Sequence, residues 1–185
     1  MTFQPHLRSA LLGLGILLIH LPAAKAEETE TTTIQIQQAG NTRTAALTLP
    51  VAPGHAWKVL TDYVATGEAM PDISKVQLLS RHGNVIRMRQ TYQAPYTFGL
   101  TISATLDVKE TPATSIRFDM VEGDLIRQLN GSWTITPTST GTRLRHTITL
   151  VPELPEMLQP IFPELTRTSF RKSMQRLSDL MQANN

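Results

Sequence analysis

Few of the 185 residues in this sequence combine a reactive type with a setting that would use it. His146 is the first of them. It falls among Leu144, Ile148 and Leu150 in an alternating run, so an imidazole shares a face with aliphatic side chains. A histidine so placed is either a hydrogen-bonded core residue or a polar anchor in an apolar pocket. Arg127 has the parity of Leu129 and points the same way, unless it snorkels to water. Tyr92 ends the run Ile86, Met88, Gln90, Tyr92, another alternating face. His146 with Tyr92 or Arg127 would make a proton-transfer group if the side chains converged within one hydrogen bond. Around them the sequence holds no G-x-S-x-G, no glycine-rich phosphate loop and no paired-histidine motif. His55, His82, Asp62 and Asp72 lack metal-ligand spacing, and no cysteine is present for a disulfide, a thiolate metal site or a thiol nucleophile. The expectation is therefore no catalytic residue, no metal and no cofactor.

The elements that must position these residues follow from periodicity. Ile34–Gln38 and Thr44–Leu49 alternate around the turn Ala39-Gly40-Asn41 and read as a hairpin. From Pro53, Ala56, Trp57, Leu60 and Val64 recur at spacings of three and four, which predicts a helix; Gly67 and Pro71 bracket a loop or a second short helix. Residues 73–151 then carry five or six strand signals, among them Lys75–Ser80, Val85–Tyr92, Tyr96–Lys109, Ser115–Val121, Ile126–Pro137 and Arg143–Val151. The short turns between them predict an antiparallel meander with one buried face. After Pro152, Pro155, Pro160 and Pro163 an uninterrupted helix is expected over Glu164–Gln182, about 28 Å long. Leu165, Phe170, Met174, Leu177 and Met181 lie near one face of it, and Arg167, Arg171, Lys172 and Arg176 near the other. Only the sheet is available to cover the apolar stripe. The fold class is α+β.

Residues 1–26 read differently. Arg8, the apolar run Leu11–Leu21, Pro22 and the triplet Ala24-Lys25-Ala26 form the three-part pattern of a secretory signal peptide, with cleavage expected after Ala26. An uncleaved anchor is the alternative. Residues 27–185 are then a single domain, exported to the periplasm of a Gram-negative type of cell, or else secreted. The whole chain carries 17 basic and 15 acidic residues. Arg8 and Lys25 are the charged residues of the leader, so the remainder is formally neutral. Neutrality argues against nucleic acid as a partner and against general binding to anionic membranes.

Several of these segments resemble a known family. Leu60-Thr-Asp-Tyr63 followed by Met70-Pro71 is similar to the end of its first helices. Gly123-Asp124, Leu129-Asn-Gly-Ser-Trp-Thr-Ile-Thr-Pro137 and Gly141-Thr-Arg-Leu144 are similar to its later strands. In order and spacing over residues 48–182 they resemble the START-like, polyketide cyclase/dehydrase superfamily (SRPBCC), and within it the coenzyme Q-binding branch in an exported form. The resemblance implies a helix-grip fold. In that fold a curved antiparallel β-sheet wraps a long C-terminal α-helix, with one or two short helices after the first strands. It also implies a cavity between sheet and helix that holds lipids, quinones or polyketides. The extra N-terminal strand and the proline-rich spacing before the last helix depart from the pattern, which puts the shape of the cavity mouth in doubt.

Strand parity then nominates the lining of such a cavity. Met88 and Tyr92 come from one strand, Ile102 from the next, Phe118 and Met120 from a third, Leu129 and Trp133 from a fourth, and His146 and Ile148 from the last. Met70 precedes the meander, and Phe162, Leu165 and Met174 belong to the terminal segment. The methionines, Met157 included, are soft enough for irregular ligands, and equally serve as core filler. The expected activity is non-catalytic binding, with transport an option, of a hydrophobic small molecule: a lipid, a quinone or a polyketide-like compound. A cyclase/dehydrase- or hydrolase-like enzyme and a protein-interaction module of the cell envelope are the alternatives. Transient membrane contact is compatible with this reading, and the oligomeric state is left open.

Overall fold

In the computed structural model, which describes residues 32–93, 99, 101–153 and 155–183, eight strands form one antiparallel sheet in the order β1-β2-β8-β7-β6-β5-β4-β3. The leader pattern at residues 1–26 lies outside the described residues. The strands are β1 (Thr33–Ala39), β2 (Thr42–Leu49), β3 (Ile73–His82), β4 (Val85–Tyr92), β5 (Ile102–Thr111), β6 (Ser115–Gly123), β7 (Ile126–Thr138) and β8 (Gly141–Pro152). β3 to β8 are the expected meander. Of the strand expected over Tyr96–Lys109, residues 96–98 and 100 lie outside the described residues, and Ile102 onward is β5. The N-terminal hairpin docks β2 onto β8, with Arg43 opposite Ile148 and Ala45 opposite His146.

Between β2 and β3, which end up far apart in the sheet, the chain forms α1 (Pro53–Thr61) and α2 (Tyr63–Glu68). Pro53 opens α1, where the missing N–H costs nothing. Asp62 separates the two helices: its N–H closes α1 on Lys58 O and Val59 O, and its carboxylate accepts from Ala65 N at 3.2 Å to cap α2. That corner aims Tyr63 at the sheet, where its hydroxyl donates to Glu110 Oε1 at 2.7 Å.

α3 (Phe162–Ala183) begins two residues before the expected start, because Pro163 is accommodated in a first helical turn. Its buried residues are Phe162, Thr166, Ser169, Phe170, Met174, Leu177, Ser178 and Met181. Leu165 is a correction to the expected stripe. It sits about 100° round the helix from Thr166, on the flank, and is only half-buried. Ala45, Leu47, Leu49, Ile86, Leu106, Leu144, Leu177 and Met181 belong to the core between sheet and helix.

Two more departures have the same cause, an irregular register. Arg127 is exposed, not inward, because the β7–β8 pairing slips between Ile126 and Gln128 and turns it out. On β3 the pairing slips between Leu78 and Ser80, and Leu78 and Leu79 are each 50% exposed, so the alternation expected over Lys75–Ser80 is lost there. Met157 stands 82% exposed in a single 3-10 turn, Glu156–Leu158, away from any cavity. Among the described residues no helix is long and apolar enough to cross a membrane.

Candidate functional site: a hollow between sheet and terminal helix

The inner face of the sheet can be read row by row from the strand register. One row runs Arg43, Ile148, Gly131, Phe118, Val108, Ile86 across β2, β8, β7, β6, β5 and β4. Its neighbour runs Ala45, His146, Trp133, Ile116, Glu110. Gly131 interrupts the first row for a steric reason. A Cβ there would lie 2.3 Å from Thr147 O and 2.5 Å from Phe118 Cζ, so only glycine lets the Phe118 ring lie against the sheet.

His146 is clamped in the second row. Its ring stacks on Trp133 with centroids 3.9 Å apart and planes 8° apart; Phe170 lies at 5.6 Å and Phe118 at 6.2 Å. Nδ1 lies 3.0 Å from Ser132 O, and a carbonyl only accepts, so Nδ1 carries the proton. Burial pushes the imidazole pKa down to about 4, against the opposing pull of the Ser132 bond. The ring is neutral throughout the physiological range.

Several other polar groups of the wall are hydrogen-bonded. Arg43, 4% exposed, donates from Nη2 to Thr166 Oγ1, which itself donates to Phe162 O at 2.9 Å. Asp72 accepts from Ser169 Oγ. Burial lifts the Asp72 carboxyl above its ordinary value, while the Ser169 bond and the Lys172 charge pull it down. Tyr92 donates to Gln90 Oε1 at 2.7 Å, and burial raises its phenol above the ordinary value. Burial and the bond to Glu110 raise Tyr63 in the same direction.

Beneath α3, residues of these rows line a partly open cavity of about 220 Å³. A second hollow of about 80 Å³ adjoins it and shares Tyr92, Leu129, Ile148 and Leu150. Of the residues nominated from sequence, Met70, Met88, Tyr92, Phe118, Leu129, Trp133, His146, Ile148 and Met174 line the main cavity. Ile102 and Phe162 line the second hollow. Met120 and Leu165 line neither. Met120 packs half-buried near the end of β6, beyond the last β6–β7 pair at Asp119 and Asn130, and Leu165 is on the flank of α3.

The proton-transfer group does not assemble: the Tyr92 hydroxyl is engaged by Gln90, and Arg127 is on the surface. Sequence reasoning missed Arg43, Tyr63, Thr66, Asp72, Thr166, Phe170 and Ser173 as lining. For Arg43 the signal was present, since it has the parity of Ala45, Leu47 and Leu49, but a strand started at Thr44 excluded it. Among the described residues no group of three or more His, Asp or Glu side chains gathers as metal ligands.

Residues 49–175 match the family model described as polyketide cyclase / dehydrase and lipid transport. The chain belongs to that family. β3 to β8 and most of α3 lie within the match; β1, nearly all of β2 and therefore Arg43 lie outside it. Among solved structures the chain is similar to TTHA0849 from Thermus thermophilus, with TM-score 0.67 and 18% identity over 78% of this chain and 97% of that one. It is also similar to the Zhui aromatase/cyclase from Streptomyces sp. R1128, with TM-score 0.65 and 14% identity over 81% and 94% of the two chains. A third is a fragment of a STAR-related lipid transfer protein from Xanthomonas axonopodis, with TM-score 0.59 and 16% identity over 82% and 98%. At such identities the likeness speaks for the fold, which is the helix-grip. No curated protein matches the sequence significantly.

Proposed function

We propose that this protein binds a lipophilic small molecule, such as a lipid or a quinone, in the hollow between sheet and α3, and carries it without altering it. The observation that bears most weight is that the terminal helix leaves about 220 Å³ of mostly apolar room beneath it, with about 80 Å³ adjoining. Small-molecule sites commonly occupy roughly 300–1,000 Å³ and are lined by apolar side chains with a few placed polar groups. The two hollows together reach the lower end of that range. The family's description, which includes lipid transport, and the name of the Xanthomonas neighbour support the same reading. Coenzyme Q is one candidate ligand, on the sequence resemblance alone.

The Zhui neighbour is named an aromatase/cyclase, which keeps an enzymatic reading in view. The site favours binding instead. A general base works best with a pKa near the working pH, and His146 lies well below it, with no acid or base among the described residues hydrogen-bonded to its ring. Titration with an environment-sensitive lipophilic dye tests the proposal. Saturable binding of one dye per chain, reversed by lipids or quinones, is expected, and the absence of saturable binding contradicts it.

The export pattern in residues 1–26 supports a periplasmic carrier, which would meet its cargo at a membrane. The intact mass of the protein from its own host should then correspond to a chain starting at Glu27. A chain still holding residues 1–26 contradicts export by cleavage.

A further inference from the structure

The lining of the main cavity includes a polar atom whose character is fixed. His146 is a neutral imidazole whose Nδ1–H is spent on Ser132 O, so Nε2 is unprotonated and can only accept. Nε2 has no hydrogen-bond partner among the described residues, although the side chain is only 6% exposed and lines the cavity. Swivelling the ring does not relieve this. Trp133 holds it flat at 3.9 Å, with Phe118 and Phe170 close by, and a flip would leave the Ser132 carbonyl without its donor.

We infer that the cavity, taken as the lipophile site proposed above, selects molecules bearing a hydroxyl group, an alcohol or a phenol, which donates to Nε2 of His146. A ketone, an ether or an ester of the same shape brings acceptors alone, and so does an oxidised quinone, so of the candidates above the reduced quinol and hydroxyl-bearing lipids are the preferred guests. An acceptor-only molecule would set its lone pairs against those of Nε2 and leave a buried acceptor unmade. Selectivity of this kind is steep, because a site built to hydrogen-bond a hydroxyl rejects the analogue that lacks it. The requirement comes from the tautomer of one histidine and does not depend on how long the apolar part of the ligand is.

The test compares 1-naphthol with 1-methoxynaphthalene by calorimetric titration of the full chain. The methoxy compound is the more hydrophobic of the two, so apolar burial alone favours it. The expected result is naphthol binding at least tenfold more tightly, with His146→Phe bringing the two affinities within twofold of each other. In wild-type protein labelled with 15N histidine, the Nε2 resonance of His146 should move upfield with naphthol and stay in place with the methoxy compound. That measurement decides the matter even if His146→Phe fails to fold. Equal affinities in the wild type, or a stationary Nε2 signal, overturn the hydroxyl requirement and leave the binding proposal standing. Binding of neither compound overturns both.

Discussion

His146 shows how one position can be read twice, once as core and once as site. It is packed like a core residue, stacked on Trp133 and hydrogen-bonded to Ser132, yet it also forms part of the cavity wall. Its burial makes stability depend on pH with a definite sign. The folded-state pKa, about 4, lies below the ordinary 6.5, so the unfolded chain takes up the proton first. The contribution of this site is intact above pH 6.5 and is lost as pH falls toward 4, by about 2 kcal/mol at pH 5. The gap in melting temperature between wild type and His146→Phe should therefore shrink from pH 7 to pH 5; a constant gap contradicts the neutral buried imidazole. The inward placement of His146 was legible because β8 is regular and strict alternation holds along it. Arg127 was misplaced because a single slipped pair reverses parity, and no residue type in Leu125–Leu129 announces the slip.

Among the elements, α3 matters most, since it roofs the hollow. Its inward track mixes Phe162, Met174, Leu177 and Met181 with the hydroxyls of Thr166, Ser169, Ser173 and Ser178. Those hydroxyls are why an apolar stripe drawn from sequence ran through Leu165 instead. Ser and Thr are scored as surface residues until a partner across the fold is known. Here the partners are Arg43 for Thr166 and Asp72 for Ser169. The Asp72 bond ties the helix to the start of β3, the far edge of the sheet. Ser169→Ala removes that tie and leaves a half-buried carboxylate short of a donor, at about 1–2 kcal/mol. Hydrogen exchange should quicken over residues 162–173 and the urea midpoint should fall. Unchanged exchange in that stretch contradicts a tethering role. The helix itself and the meander were legible from their periods and from the absence of proline and glycine after Pro163.

At the scale of the molecule, the architecture follows from a meander that no other layer can cover and from one long amphipathic helix available to cover it. That much, and the family, could be read from segments such as Leu60-Thr-Asp-Tyr63 and Leu129–Pro137. The hollow could not. Its volume is a small difference between the space spanned by the curved sheet and the side chains that enter it, and it turns on details such as Gly131 giving room to Phe118. An empty hollow of about 220 Å³ leaves apolar wall uncovered, which costs free energy. A resident guest would offset part of that cost, so the protein should leave its cell occupied. Native mass spectrometry of protein purified from its own host, followed by organic extraction, tests this most directly. The account predicts one lipophilic molecule per chain, released on unfolding and identified in the extract. Protein that repeatedly arrives empty, with no lipid or quinone recovered, contradicts it.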